Sequence, residues 1–410
     1  MKLLRWTSRI IVGIVFIFSG FVKAVDPSGS EYKFQDYFTA FHLDFLKDLA
    51  LPLAIILCAA EFISGFSVLT GFRIKYGIWV VMILMVIFTP LTFILALTNP
   101  VSDCGCFGDA IHLTNWQTFF KNVVLILFTI ILFISRNSFK PVGEPVREWG
   151  VISLMSVLFV LFSFYNLRYL PVMDFLPYKQ GVYIPDKMII PEGKPVDEYY
   201  TTFIYEKDGL KKEFTLENYP YDDSTWVFVD QISVLVKKGY EPPIHDFAIT
   251  CHNEDITDRI LGDEGYTMLM ICHKIEDASE KKLAEGFRLG NYLEENGINF
   301  YVVTASAIGL TDITDHDPDI CSGDEIALKT IVRSNPGYML LKGGTITGKW
   351  SPASLPEKEF FLGDIQGKQV FLLSNKKGQA SVIIIFLTGI ILVACMYRLI
   401  KGQKNQKHEL

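Results

Sequence analysis

The chain has 410 residues, half of them apolar, and a formal net charge of −7. This length allows two or three domains, and the apolar content indicates that part of the chain lies in lipid. The acidic balance and the absence of a long basic block argue against nucleic acid as a partner. The sequence contains no Gly-rich phosphate loop and no Cys/His array of the metal-binding kind, so neither a metal nor another cofactor is evident from it.

Six segments are apolar and long enough to cross a bilayer about 30 Å thick. They are residues 6–22, 49–70, 74–98, 116–134, 151–167 and 380–399. Basic residues precede the first segment, as in a signal peptide. It lacks a convincing small-residue cleavage site, however, so we expect it to remain as a helix.

Clusters of Lys and Arg precede the first span and follow the sixth. Two more clusters lie between the second and third spans and between the fourth and fifth spans. The positive-inside rule assigns these clusters to the cytoplasm. We therefore expect a multi-pass membrane protein with both termini in the cytoplasm. The loop around residues 99–115 and the polar region 169–379 would then lie outside the cytoplasm.

The connection between the first two spans contains EYKFQDYFTAFHLDFLKDLA, with aromatic residues at helical spacing. These residues are Phe34, Tyr37, Phe38, Phe41 and Phe45. The pattern predicts an amphipathic helix. It can lie on the outer membrane surface or pack over the mouth of the helix bundle, and both placements bring it close to loop 99–115.

The second span carries a carboxylate, Glu61, in LCAAEFISG. Burying a carboxyl group in a bilayer is costly, so we expect Glu61 to face the bundle interior, where an ionisable residue suggests a functional role. The alternative is a protonated side chain that bonds to Ser or Thr of a neighbouring helix. The Ser-Gly pairs in IFSGF and FISGF of the first two spans predict close helix packing.

The loop NPVSDCGCFGDAIHLTNW places Cys104 and Cys106 on either side of Gly105. Two cysteines this close can form a disulfide only if the backbone bends sharply, which Gly105 permits. Such a disulfide would be strained and therefore labile. The loop also lies beside the lipid, where a quinone could reach it. This favours a redox-active dithiol, while a static disulfide, a metal site and an inert pair remain alternatives.

Two acidic residues near this pair argue against a reactive thiol. Asp103 and Asp109 should raise the thiol pKa values and disfavour the attacking thiolate. His112 or Lys121 would offset this effect if either lies nearby. A metal site is a poor alternative because two thiolates and His112 fall short of four ligands.

The stretches RIIVGIVFIFSGFVKAVDP, AAEFISGFSVLTGF and DCGCFGD resemble the DoxX/MauE family of four-helix membrane proteins. The resemblance covers residues 1–135. It implies redox or disulfide chemistry at the bacterial envelope, in a protein of the bacterial inner membrane. MauE-type members resemble accessory factors for the maturation of a disulfide-rich periplasmic dehydrogenase.

A cytoplasmic loop and the fifth span (136–168) lead to a β-rich segment, 169–246, in which Asp208-Gly209 marks a hairpin. In residues 247–365 a strand, a helix and a second strand predict a parallel βαβ unit, followed by a helix and a hairpin. This order resembles the thioredoxin fold, and the resemblance places Pro336 at the position of its cis-proline. The sixth span (376–401) and a cytoplasmic tail (402–410) follow.

The exported domain departs from thioredoxin at its cysteines. Cys272 stands alone where a thioredoxin has Cys-x-x-Cys, with Ile275 in the second position, so dithiol exchange by this domain is not expected. Cys251, Cys272 and Cys321 allow one disulfide with one free thiol, or no disulfide. Two more cysteines, Cys58 and Cys395, lie in spans and are expected to be inert.

The expected fold is therefore an α-helical membrane bundle, a four-helix core plus two further spans, with an α/β thioredoxin-like exported domain. The main functional hypothesis is an envelope thiol–disulfide component in which Cys104 and Cys106 exchange with an exported client or redox partner. The alternative is a non-enzymatic scaffold or assembly factor whose domain only binds a partner protein. A transporter that uses Glu61 has less support because inverted repeats are absent.

Overall fold

The computed structural model describes residues 2–101, 103–306 and 319–363, with two isolated positions, Val382 and Gly389. The first six helices are α1 (Lys2–Val25), α2 (Pro27–Ala40), α3 (Ala50–Thr70), α4 (Ile74–Thr98), α5 (Asn115–Ser135) and α6 (Pro145–Tyr169). Within this part of the chain, all of these except α2 belong to segments long and apolar enough to cross a membrane. The first five predicted spans are therefore confirmed. The sixth, 380–399, lies outside the described residues apart from the two isolated positions.

Helices α1 and α3 pack closely through their glycines. A Cβ atom added to Gly20 would lie 2.7 Å from the Cβ atom of Phe62, and one added to Gly65 would lie 2.7 Å from the backbone nitrogen of Ile17. No larger side chain fits at either position without moving the partner helix. The predicted role of the Ser-Gly pairs in helix packing is confirmed.

Helix α2 lies over one end of the membrane helices. It begins at Pro27 after the N-cap Asp26, whose side chain accepts a hydrogen bond from the Gly29 N–H at 2.9 Å. The helix ends at Ala40, ten residues before the predicted stretch ends, and a short 3₁₀ segment (Asp44–Leu49) leads into α3. Phe38 is buried in the fold. The structure thus favours the placement over the bundle mouth.

A three-stranded antiparallel sheet follows in the order β2-β1-β3. Its strands are β1 (Glu198–Lys207), β2 (Leu210–Thr215) and β3 (Val227–Lys237). Asp208 and Gly209 join the first two strands with φ values of 52° and 79°, the left-handed conformation that two-residue hairpin turns require. The predicted hairpin is confirmed.

A seven-stranded sheet comes next in the described part of the polar region, with the strand order β10-β9-β6-β7-β8-β4-β5. Its strands are β4 (Thr250–Cys251), β5 (Glu254–Asp255), β6 (Tyr266–Cys272), β7 (Asn299–Thr304), β8 (Ile320–Ser322), β9 (Gly337–Lys342) and β10 (Thr345–Trp350). The remaining helices are α7 (Ile184–Met188), α8 (Thr257–Gly262), α9 (Glu280–Glu295) and α10 (Glu325–Ile331). β6 and β7 are parallel and joined by α9, which confirms the βαβ unit, and β9 and β10 form the hairpin after α10. The peptide bond between Asn335 and Pro336 is cis.

Candidate functional site

The Cys-Gly-Cys stretch forms a tight turn between α4 and α5. Gly105 has a φ of 62°, and its N–H donates to the Asp103 carboxylate at 2.8 Å. A Cβ atom at Gly105 would lie 3.0 Å from the Lys33 side chain, so the turn also depends on the small size of glycine. The turn brings the Sγ atoms of Cys104 and Cys106 to 2.8 Å from each other, and both cysteines are free thiols. The predicted bend is therefore present.

Two helices hold the carbonyl groups of this turn. The Tyr37 hydroxyl of α2 donates to the Cys104 carbonyl oxygen at 2.6 Å, and the Ser19 hydroxyl of α1 lies 2.8 Å from the Cys106 carbonyl oxygen. Cys104 is buried and Cys106 half-buried. The sulfur pair is therefore fixed by contacts with elements that are distant in sequence.

The two thiols have different acidities. The hydrogen bond from the Cys106 thiol lowers the pKa of Cys104 to about 6 from an ordinary 9.0, and the positive charge of Lys121 acts in the same direction against burial. The same hydrogen bond, together with burial, raises the pKa of Cys106. Near neutral pH the pair therefore holds one proton, with Cys104 as the thiolate.

The expected effect of the two acidic neighbours is wrong for Cys104. Asp103 pairs with Lys33 at 3.1 Å, and Asp109 pairs with Arg333 at 2.7 Å. Each carboxylate is thus compensated by a cation, and the chief cause of the Cys104 pKa is its partner thiol. Lys121 does assist the thiolate, as one of the two predicted offsets.

Glu61 faces the bundle interior, as predicted, and pairs with Lys23 of α1. The Lys23 Nζ atom lies 2.7 Å from Oε1 and 2.6 Å from Oε2, and the two residues are 8% and 2% exposed. The Ser19 Oγ atom lies 2.7 Å from Oε2 of Glu61, so one hydroxyl links this carboxylate to the Cys106 carbonyl group. Lys23 was not identified from the sequence as the partner of Glu61, although a lysine near the end of an apolar span indicates such a role.

A cavity of about 590 Å³ joins the ion pair to the cysteine turn. Its polar end contains Lys23, Glu61, Cys104 and Cys106, and its remaining walls are mostly apolar side chains from α1 to α5. The volume lies within the range typical of small-molecule sites. Two of the chain's candidate functional groups, the thiol pair and the intramembrane carboxylate, thus open into one space.

The five helices α1 to α5 and the cysteine loop that build this site lie in a region that matches a known protein family. Residues 1–135 match the family model described as the methylamine utilisation protein MauE. The first third of the chain is thus a MauE-like membrane region. Residues 199–238 match a model described only as a domain of unknown function (DUF8463). Neither a curated protein nor a solved structure matches the chain.

The α/β region contacts the MauE-like region beside the cysteine turn. The guanidinium of Arg333, on the loop before β9, bridges Asp26 at 2.8 Å and Asp109 at 2.7 Å, and its side chain is only 8% exposed. The His273 Nε2 atom donates to a backbone carbonyl at 2.7 Å, which leaves Nδ1 as an acceptor 3.5 Å from the Tyr32 hydroxyl of α2. The segment that carries Pro336 is thus held against α2 and the loop. Sequence reasoning missed Arg333, for which there was no local signal.

The cysteines of the α/β region do not form a second dithiol. Cys251 and Cys321 are disulfide-bonded between β4 and β8, and Cys272 is a free thiol with no exposed surface, whose pKa burial raises to about 12. This decides between the alternatives left open by the sequence. Cys58 is buried in the MauE-like bundle, and Cys395 lies outside the described residues. The described residues contain no cluster of three or more His, Cys, Asp and Glu that could hold a metal.

Proposed function

We propose that this MauE-like protein exchanges disulfides with exported partner proteins through Cys104 and Cys106. The observation that carries the proposal is the pair of free sulfur atoms 2.8 Å apart in a turn held by α1 and α2. In the oxidising direction, a client dithiol loses two electrons and two protons and becomes a disulfide. The Cys104–Cys106 disulfide gains them and becomes the thiol pair.

The two cysteines take different roles in this exchange. In the oxidising direction the client thiolate attacks the disulfide, and Cys104, with its lowered pKa, leaves as the thiolate. In the reverse direction Cys104 is the nucleophile, since thiolates rather than thiols attack disulfides. Cys106 keeps its proton, stabilises the thiolate by donating to it, and closes the disulfide with Cys104.

We further propose the orientation and the role of the exported domain. The basic clusters support an inner-membrane protein with both termini in the cytoplasm and the cysteine loop outside. The strand order β10-β9-β6-β7 and the loop that carries Pro336 support a thioredoxin-like fold, and the burial of Cys272 supports a binding role without its own redox chemistry. In this proposal the ion pairs of Arg333 with Asp26 and Asp109 hold the α/β domain against the cysteine loop.

Thiol trapping in intact cells tests the exchange. The variant replaces Cys58, Cys272 and Cys395 with alanine but keeps the Cys251–Cys321 disulfide, so that only the turn can gain or lose labels. The cells are quenched with acid and treated with a maleimide of known mass. The oxidised pair then carries no label, and the reduced pair carries two. The proposal predicts a mixture of both forms whose ratio shifts with the redox state of the medium.

Control variants with Cys104→Ser or Cys106→Ser should carry one label under every condition. A pair that is fully oxidised or fully reduced under every condition contradicts exchange. Such a result would favour the alternative function, a non-enzymatic scaffold or assembly factor.

A further inference from the structure

We infer that the cavity beside the cysteine turn binds the headgroup of a lipid-soluble quinone, which accepts the electrons of the Cys104–Cys106 pair. This inference rests on the proposed function and names the oxidant that the thiol pair needs. Its basis is the position of the cavity, which connects the sulfur atoms with the membrane-facing surface of the bundle.

The cavity reaches the side of the bundle that faces lipid. Ile56 of α3 and Ile87 of α4 line it and are also 64% and 53% exposed on the surface of membrane-crossing helices. Phe34 and Phe38 of α2 also line it. A ligand that enters from the bilayer would therefore meet apolar walls along its path, which suits a hydrophobic molecule and disfavours a water-soluble oxidant.

The inner end of the cavity offers what a quinone ring requires. The Lys23 ammonium group lines it and has three N–H donors, and a quinone carbonyl is an acceptor. Lys23 also pairs with Glu61, and the single proton of the Ser19 hydroxyl is directed to Glu61 or to the Cys106 carbonyl oxygen. The thiols occupy the same end, so an apolar ligand with two polar oxygen atoms matches the distribution of polar groups.

The redox step balances within these groups. Cys104, already a thiolate, and the Cys106 thiol lose two electrons and form one S–S bond. The quinone gains two electrons and two protons and becomes a hydroquinone. One proton comes from the Cys106 thiol and the other from water, which had taken up the proton of Cys104. Oxidised client protein and reduced quinone are then the products of a complete cycle.

Reduced full-length protein in lipid nanodiscs tests the inference, with a short-chain ubiquinone analogue as the probe. The measured quantities are labels lost from the thiol pair and hydroquinone formed, which should be equimolar. Ile87→Trp narrows the lipid-facing opening and should raise the quinone concentration for half-maximal rate about tenfold, equivalent to about 1.4 kcal/mol.

Ile83→Trp is the matched control. Ile83 lies one turn earlier on α4, is equally exposed at 53%, and does not line the cavity, so this variant should behave like the parent. Equal rates in the two tryptophan variants would overturn the inference, because the quinone would then reach the thiols by another path.

A water-soluble oxidant, diamide, separates failure of the inference from failure of the proposed function. If diamide closes the Cys104–Cys106 disulfide but the quinone does not, the cavity is not a quinone site, while thiol exchange stands. If neither reagent closes the disulfide, both the inference and the proposed function are wrong.

Discussion

Replacing Cys106 with alanine removes the group that most strongly lowers the pKa of Cys104. The hydrogen bond from Cys106 is the largest cause of the fall from 9.0 to about 6, and burial opposes it. A shift of this size corresponds to about 4 kcal/mol of preference for the thiolate. In Cys106→Ala we expect the pKa of Cys104 to return to about 9 or above, since burial then meets little opposition.

In Cys106→Ala, two opposing effects on the reaction rate of Cys104 nearly cancel at neutral pH, so the pH–rate profile is more informative than the rate itself. The thiolate fraction at pH 7 falls from about nine-tenths to about one-hundredth when the pKa rises by about three units. The more basic thiolate is, however, about 20-fold more nucleophilic. The rate at pH 7 should therefore fall only about fourfold, whereas the midpoint of the pH–rate profile should move by about three units.

The assay is the rate of iodoacetamide alkylation of Cys104 as a function of pH, in the background that lacks Cys58, Cys272 and Cys395. We expect a midpoint near 6 in the parent. Cys106→Ser keeps a hydroxyl donor and should give a midpoint between those of the parent and the alanine variant. An unchanged midpoint in Cys106→Ala would refute the role of Cys106 as the donor.

Three further predictions concern the groups around the turn. Arg333→Met breaks two buried ion pairs and should lower the opening free energy of the cysteine loop by about 3–5 kcal/mol, measured by hydrogen exchange; unchanged protection would contradict the bridge. Lys23→Met and Glu61→Gln should each lower the thermal unfolding midpoint in detergent, because each breaks the ion pair. The double variant should lower the midpoint by less than the sum of the two single decreases; strictly additive decreases would contradict a direct pair. Burial lowers the pKa of His273 from 6.5 to about 4, so its contribution to stability is complete above pH 6.5 and declines by about 3 kcal/mol toward pH 4. Unfolding in guanidinium at several pH values should show this loss of stability. The loss should be absent from His273→Gln, and a loss that persists in that variant would contradict the role of His273.

The sequence was sufficient where structure depends on neighbours in the chain. Hydropathy located the five described spans because every backbone polar group in lipid must be satisfied within a helix. Asp208-Gly209 identified the hairpin because the turn needs two residues with positive φ. Gly105 identified the bend between the two cysteines for a similar reason.

The electrostatics of the site depend instead on contacts between distant segments. Arg333 meets Asp26 and Asp109 across 307 and 224 residues, and Lys23 meets Glu61 across 38. Within the loop sequence, Asp103 and Asp109 lie close to the two thiols, and their cationic partners lie in other segments of the chain. The fold pairs each carboxylate with a cation, and the chief cause of the lowered pKa of Cys104 is the hydrogen bond from Cys106.

The central claim, reversible exchange at the Cys-Gly-Cys turn, is tested most directly by a redox titration. Purified full-length protein is equilibrated in glutathione buffers of increasing oxidising power, acid-quenched and weighed as intact protein. We predict one two-electron transition with the loss of two hydrogen atoms, absent from both Cys104→Ser and Cys106→Ser. A mass that stays constant across the whole range, with the two thiols either always free or always joined, would contradict the claim.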